Sequence, residues 1–227
     1  MNTAYEKLQP YLDKAMAVQT ALTLFEWDDA TLAPKAAGAK TSRVIEILSG
    51  EYFQAVTNGE VKQLVKECRE EPLTEVQEAV VRELEDQLDQ LDCIPQDEYQ
   101  AFAKLASESV RVWEKAKEEN DFQSFAPVLR EVVRYQKKFG DYRAKPGQKR
   151  YDALLDAYEK GFSMDQLDQF FGRLKEELVP FLRKVTESRV LIRDDFLTGD
   201  FSEDRQERLA RFIAEYLGFD FRRGVLA

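Results

Sequence analysis

The chain has 227 residues, of which 44% are hydrophobic and 33% charged, a composition that can bury a substantial core and is too apolar for a disordered polymer. Its formal net charge of −10 argues against sequence-independent binding to phosphate backbones, which needs clustered Lys and Arg, and against docking on anionic membranes. It contains no histidine, so Ser-His-Asp and Cys-His catalysis, His-bound zinc and imidazole acid–base chemistry lie outside the reach of these residues.

The first thirty residues are amphipathic and charged, without the apolar centre of a signal peptide, and no segment approaches the length of a membrane span. Cys68 and Cys93 are far apart and in no ligand-like spacing, so they read as reduced thiols. These features predict a cytoplasmic protein with neither nucleic acid nor membrane as a partner.

Helical periodicity predicts helices over roughly 4–26, 38–58, 74–91, 96–118, 124–143 and 151–159, with two more opening at Ser163 and Ser202. In "TEVQEAVVRELEDQLDQL" the stripe is Val76, Val80, Leu84, Leu88 and Leu91. Thr74 with Gln77, and Ser163 with Gln166, have the spacing of capping boxes. Ser202 followed by Glu203 and Asp204 suits a third helix start, and Gly218 a left-handed cap at its end. The helices near 74–91 and 96–118 are expected to form an antiparallel hairpin that projects in part from the body. The basic run "RAKPGQKR" at 143–150 reads as a solvated loop, since it has neither interleaved aromatics nor a Gly-rich cradle. With no alternating β-run and no internal repeat, the fold class is all-α, a single helical region over 1–227.

Two groups of carboxylates stand out. Asp28 and Asp29 lie beside Thr31 in "FEWDDATLAP", either as oxygen ligands for a hard cation or, in the absence of calcium-loop spacing, as an exposed acidic turn or cap. In "YDALLDAYEKG", Asp152, Asp156 and Glu159 stand at i, i+4 and i+7, one face of a helix. That row suits an acid/base pair or a solvated face with Asp152 at the positive helix end. Tyr151 and Tyr158 fall near one another and are expected to pack into the core, as are Trp27, Trp113 and the phenylalanines. A carboxylate-only hydrolase is one reading of these residues and a soluble helical domain the other.

Several stretches resemble, in order along the whole chain, the thermostable (Taq-type) carboxypeptidase family. "FEWDDATLAPKAAGAKTSRVIEIL" is similar to the family's segment near its start through Trp27, Asp28, Thr31, Pro34, Gly38 and Arg43. "VWEKAKEENDFQSFAPVLREVV" matches through Trp113, Asp121, Phe122 and Pro127. "YDALLDAYEKG" resembles a family signature through Tyr151, Asp152, Leu155, Asp156, Tyr158 and Glu159, with Lys160 where the family commonly has proline. "LGFDFRRGVLA" matches through Gly218, Phe219 and Asp220.

The resemblance implies a helical, zinc-dependent metallocarboxypeptidase that removes C-terminal residues from peptide substrates. In that family the metal and the general base come from an H-E-x-x-H helix, preceded by a His-Pro-Phe motif that follows the segment similar to "GFDFRRGVLA". No position here matches those motifs, so no catalytic or metal residue carries over, and the matching residues are expected to be structural. The expectation is an N-terminal, non-catalytic portion resembling the lid and one wall of a deep groove. Zinc or another divalent metal belongs to the complete enzyme, and no cofactor is expected in this chain. Apolar faces that would meet the other half imply a homodimer or other self-association. The alternative is a free-standing helical interaction or scaffold protein derived from that fold.

Overall fold

The computed structural model describes residues 3–188, 190 and 193–226, and among them the secondary structure is helical throughout. The α-helices are α1 (Ala4–Thr31), α2 (Gly38–Thr57), α3 (Gly59–Cys68), α4 (Glu75–Leu91), α5 (Gln96–Glu118), α6 (Phe122–Arg143), α7 (Arg150–Leu155), α8 (Met164–Glu187) and α9 (Glu203–Tyr216), with two short 3-10 turns and no strand among the described residues. The chain divides into two compact units, the first ending at Leu167 within α8.

In the first unit α2 is the centre, and α1, α4 and α5 all pack on it. Its buried face includes Gly38, Thr41, Ser42, Ser49 and Gly50, small residues that permit close approach of a neighbouring helix. Phe53 and Val56, also buried on α2, join Leu8 of α1, Val61, Leu64, Val65 and Cys68 of α3, and Val81 and Leu84 of α4 in one apolar cluster. Each fully buried aliphatic side chain there contributes about 1.5–3 kcal/mol of transfer free energy. Cys68 is buried in this cluster, and burial raises its thiol pKa.

Several details depart from the sequence expectations. The Asn58-Gly59 break opens a further helix, α3, because the Asn58 side-chain oxygen accepts a hydrogen bond from the Val61 amide at 3.0 Å. On α4, Val81 is buried where Val80 was expected, and Val76 is exposed. The reason is orientation: α4 leans on α2 and α3, not along α5. The expected α4–α5 hairpin is therefore replaced by a pair formed by α5 and α6. Pro95, with ψ of 134°, redirects the chain between α4 and α5. The capping box at Thr74 forms.

The second unit consists of most of α8, the turn Asp195–Leu197, α9 and the segment after it. None of the described residues of α8 or α9 is buried. The capping box that opens α8 is present, Ser163 N donating to Gln166 Oε1 at 2.8 Å and Gln166 N to Ser163 Oγ at 3.4 Å. Ser202 makes no side-chain cap; the Gln206 amide instead donates to the Phe201 carbonyl at 2.6 Å. Gly218 ends α9 at φ +86°, the left-handed conformation that a Cβ disfavours. No described helix is long and apolar enough to cross a membrane.

Candidate functional site

Helices α1 and α5 both rest on α2 and leave a groove between them, a cavity of about 520 Å³. Its lining includes Leu22, Ile45, Phe102, Ala106 and Val110, with Glu26 and Glu114 among its polar groups. Tyr99 also lines it, and burial pushes its phenol up to about 12, so the hydroxyl stays protonated at neutral pH.

The most organised polar cluster of the groove centres on Arg111. Its Nη1 donates to Asp29 Oδ2 at 2.9 Å, its Nη2 donates to Ser42 Oγ, and Ser42 and Ser107 share a hydrogen bond of 2.9 Å. The ion pair is well shielded, with 24% of the Arg111 side chain and 17% of that of Asp29 exposed. The expected acidic turn or cap is thus corrected for Asp29, which lies in the last turns of α1 and serves as the partner of a cation 82 residues away. Helix α1 itself runs past the predicted end.

The stretch around Trp27 closes α1 and leads the chain into α2. Thr31 Oγ1 donates to the Trp27 carbonyl at 2.6 Å, and the amides of Leu32 and Ala33 both donate to the Asp28 carbonyl, which closes α1. Pro34, extended at ψ 134°, starts the 3-10 turn Lys35–Ala37 that leads into α2 at Gly38. A Cβ on Gly38 would stand 2.4 Å from Arg111 Nε, so glycine is what leaves room for the guanidinium. Arg43, one turn on, ion-pairs with Glu46 at 2.7 Å, and that hydrogen bond holds the Glu46 carboxyl below its ordinary range. Trp27 and Trp113 are not core residues, as both are substantially exposed; Lys117 lies over the Trp113 ring at 4.8 Å.

The segment at 151–161 also differs from expectation. α7 ends at Leu155, so Asp152, Asp156 and Glu159 do not share a helix face. Asp152 Oδ1 accepts the Met164 amide at 2.8 Å and Asp156 Oδ1 accepts the Gly161 amide at 2.8 Å; both carboxylates are thereby used to fold the turn that precedes α8. Lys160 pairs with Asp86 of α4, which fastens the same turn from outside. Tyr151 and Tyr158 do not enter the core, being 61% and 84% exposed. The basic run nearby is more engaged than a solvated loop: Arg143 donates to the Gln90 carbonyl at 3.0 Å, and Lys149 pairs with Asp165 and Arg150 with Asp141.

The other signature residues sit at chain reversals. Asp121 caps α6, accepting from the amides of Gln123 and Ser124, with Phe122 exposed at the first helical position and Pro127 farther along the helix. Asp220, in the second unit, binds both the amide and the guanidinium of Arg222, which lowers its carboxyl pKa. Phe219 meets Phe221 edge-to-face at 4.9 Å.

Sequence reasoning did not single out Arg111, Ser42 or Ser107, because a lone Arg in a charged helix and two serines carry no spacing signal. Among the described residues no three His, Cys, Asp or Glu side chains converge to hold a metal ion. The donors present therefore do not fit a catalytic zinc.

The fold defines an all-α protein whose singled-out residues cap, pair and turn the chain. Residues 7–227 match the family described as "Carboxypeptidase Taq (M32) metallopeptidase". This chain belongs to that family. It is 32% identical over 208 residues to Carboxypeptidase 1 of Bacillus subtilis (strain 168), which covers 91% of this chain and 41% of that protein. The solved "BsuCP Crystal Structure" superposes with a TM-score of 0.89 at 30% identity, over 97% of this chain and 44% of that one. The Trypanosoma cruzi metallocarboxypeptidase 1 gives a TM-score of 0.76 at 27% identity, over 96% and 45%. The chain thus spans less than half the length of these relatives.

Proposed function

We propose that residues 1–227 serve as the N-terminal, non-catalytic helical portion of a metallocarboxypeptidase acting on the C-terminal ends of peptides in the cytoplasm. In this reading they form a wall and lid that admit slender peptide ends and position them, while zinc, or another divalent metal, and the general base come from polypeptide outside these residues. The observation that carries it is the family match over residues 7–227 in a sequence with no histidine. The purified chain is expected to hold no stoichiometric zinc by elemental analysis and to release no C-terminal residues from unstructured peptides. Stoichiometric metal together with chelator-sensitive release would overturn the proposal.

A second reading, a free-standing helical interaction or scaffold protein, is favoured by the lack of buried residues in α8 and α9. Under either reading the exposed apolar faces imply a homodimer or another self-association of the isolated chain. Complementation separates the two readings: peptidase activity regained on adding the remaining portion of an M32 carboxypeptidase supports the first, and no such rescue supports the second.

A further inference from the structure

The end of α6, α7 and the turn after it enclose a polar cavity of about 350 Å³ against α4, within the size range of small-ligand sites. All of its lining lies in the first unit. Arg143, the last residue of α6, lines it. The Arg143 Nε donates to the Gln90 carbonyl at 3.0 Å, and its two terminal nitrogens have no ion-pair partner among the described residues. Burial lowers the Arg143 pKa from its ordinary value. A guanidinium partly withdrawn from water, with one neutral acceptor and no counter-charge, is a costly arrangement that an anionic ligand relieves.

The rest of the lining narrows the chemistry of that ligand. Arg143, Lys145 and Lys160 are matched there by Asp86, Asp89 and Asp156, so a multiply charged anion such as phosphate would meet three carboxylates. Two of the three are engaged, Asp86 by Lys160 and Asp156 by the Gly161 amide at 2.8 Å. The Asp89 carboxylate has no hydrogen-bond or ion-pair partner among the described residues. One open cation and one open carboxylate therefore share a cavity without pairing with each other. The planar guanidinium suits a carboxylate held through paired N–H groups, and Asp89 suits an ammonium. Apart from Ala153 and Gly161 the lining is polar, which leaves little apolar surface for a large side chain.

We infer that this cavity is a binding site for a free α-amino acid with a small or polar side chain, its carboxylate held by Arg143 and its ammonium by Asp89. A zwitterion brings both charges on one compact molecule, which neither a simple anion nor a simple amine does. The inference rests on the residues of the cavity and is independent of the proposed function.

The test is calorimetric titration of the purified chain with L-serine, beside glycolate, which lacks the ammonium, ethanolamine, which lacks the carboxylate, and inorganic phosphate. Saturable binding of L-serine is expected, with each of the other three weaker by about tenfold or more. Asp89→Asn should weaken L-serine binding by about tenfold or more and leave glycolate binding unchanged. Arg143→Lys keeps the charge and gives up the fork, and should weaken both L-serine and glycolate. Because Arg143 also holds the Gln90 carbonyl, the melting curve by circular dichroism is recorded for each variant; the Asp89 side chain makes no such bond, so Asp89→Asn tests the site even if Arg143→Lys unfolds. Lys117→Gln, on α5 beside Trp113, should leave binding unchanged. The inference is overturned by absence of saturable L-serine binding, by glycolate, ethanolamine or phosphate binding as tightly as L-serine, or by L-serine binding indifferent to Asp89→Asn.

Discussion

Unit one, residues 1–167, and unit two, residues 168–227, are made from the same material, amphipathic helices of about two to eight turns, and end in different states. In the first, α2 offers small residues to one neighbour and large ones to others, and a continuous cluster from Leu8 to Leu91 is closed to water. In the second, α8 has an apolar stripe as regular as any, and none of its described residues is buried. An amphipathic pattern supplies a face; burial needs a second face of matching shape within reach. The first unit contains both sides of its contacts, while the described residues of α8 and α9 stay unburied.

The comparison can be broken most sharply in the core. Leu8 is 0% exposed, so Leu8→Ala should cost about 2–5 kcal/mol in denaturant unfolding followed by circular dichroism, which reports on the helices of both units. The same change at exposed Leu178 should move that curve by no more than about 0.5 kcal/mol. Equal losses at the two positions would mean that α8 is buried in the free chain.

A smaller effect is expected where α2 meets α5. Gly38→Ala pushes a methyl into the Arg111 side chain and should displace it from Asp29 and Ser42, at about 1–3 kcal/mol. In an Arg111→Ala background the same change should be nearly neutral. A double-mutant cycle on thermal unfolding checks the coupling.

Helix caps give a third, lesser contrast. Thr74→Ala removes a formed capping box and should cost about 1 kcal/mol, whereas Ser202 makes no side-chain cap. Ser202→Ala should therefore leave helicity by circular dichroism unchanged.

The smallest effect concerns acid. The Arg43 guanidinium holds the folded Glu46 carboxyl below its ordinary range. A lowered folded pKa means stabilisation that is fully present above the unfolded value, about 4.3, and is lost as pH falls through the folded one. Melting temperatures of wild type and Glu46→Gln between pH 7 and 3 should converge at the acid end, and parallel curves would refute the assignment.

Much of this was legible in the sequence. Periodicity located the long helices, Thr74 and Ser163 announced their caps by spacing alone, and Gly218 marked a left-handed end, because each depends on interactions within a few residues. The motif matches were sufficient to recognise the family. What was misread depends on partners outside the helical three- and four-residue spacing. Asp29 looked like a cap because its cation is 82 residues away. The carboxylates of "YDALLDAYEKG" looked like a helix face because the hydrogen bonds from Met164 and Gly161 that end α7 are not visible as a pattern.

By itself, then, the sequence determined the all-α class, the placement of most helices and the lack of any imidazole chemistry within these 227 residues. Only the tertiary structure decided that α2 is the hub, that α5 pairs with α6, that Arg111 closes the groove over Gly38, and that α8 and α9 keep their apolar faces exposed. The physical reason is that helix formation is governed by neighbours three and four residues apart, while the rotation of each helix, and hence which of its residues meet another, is settled by packing across the whole chain.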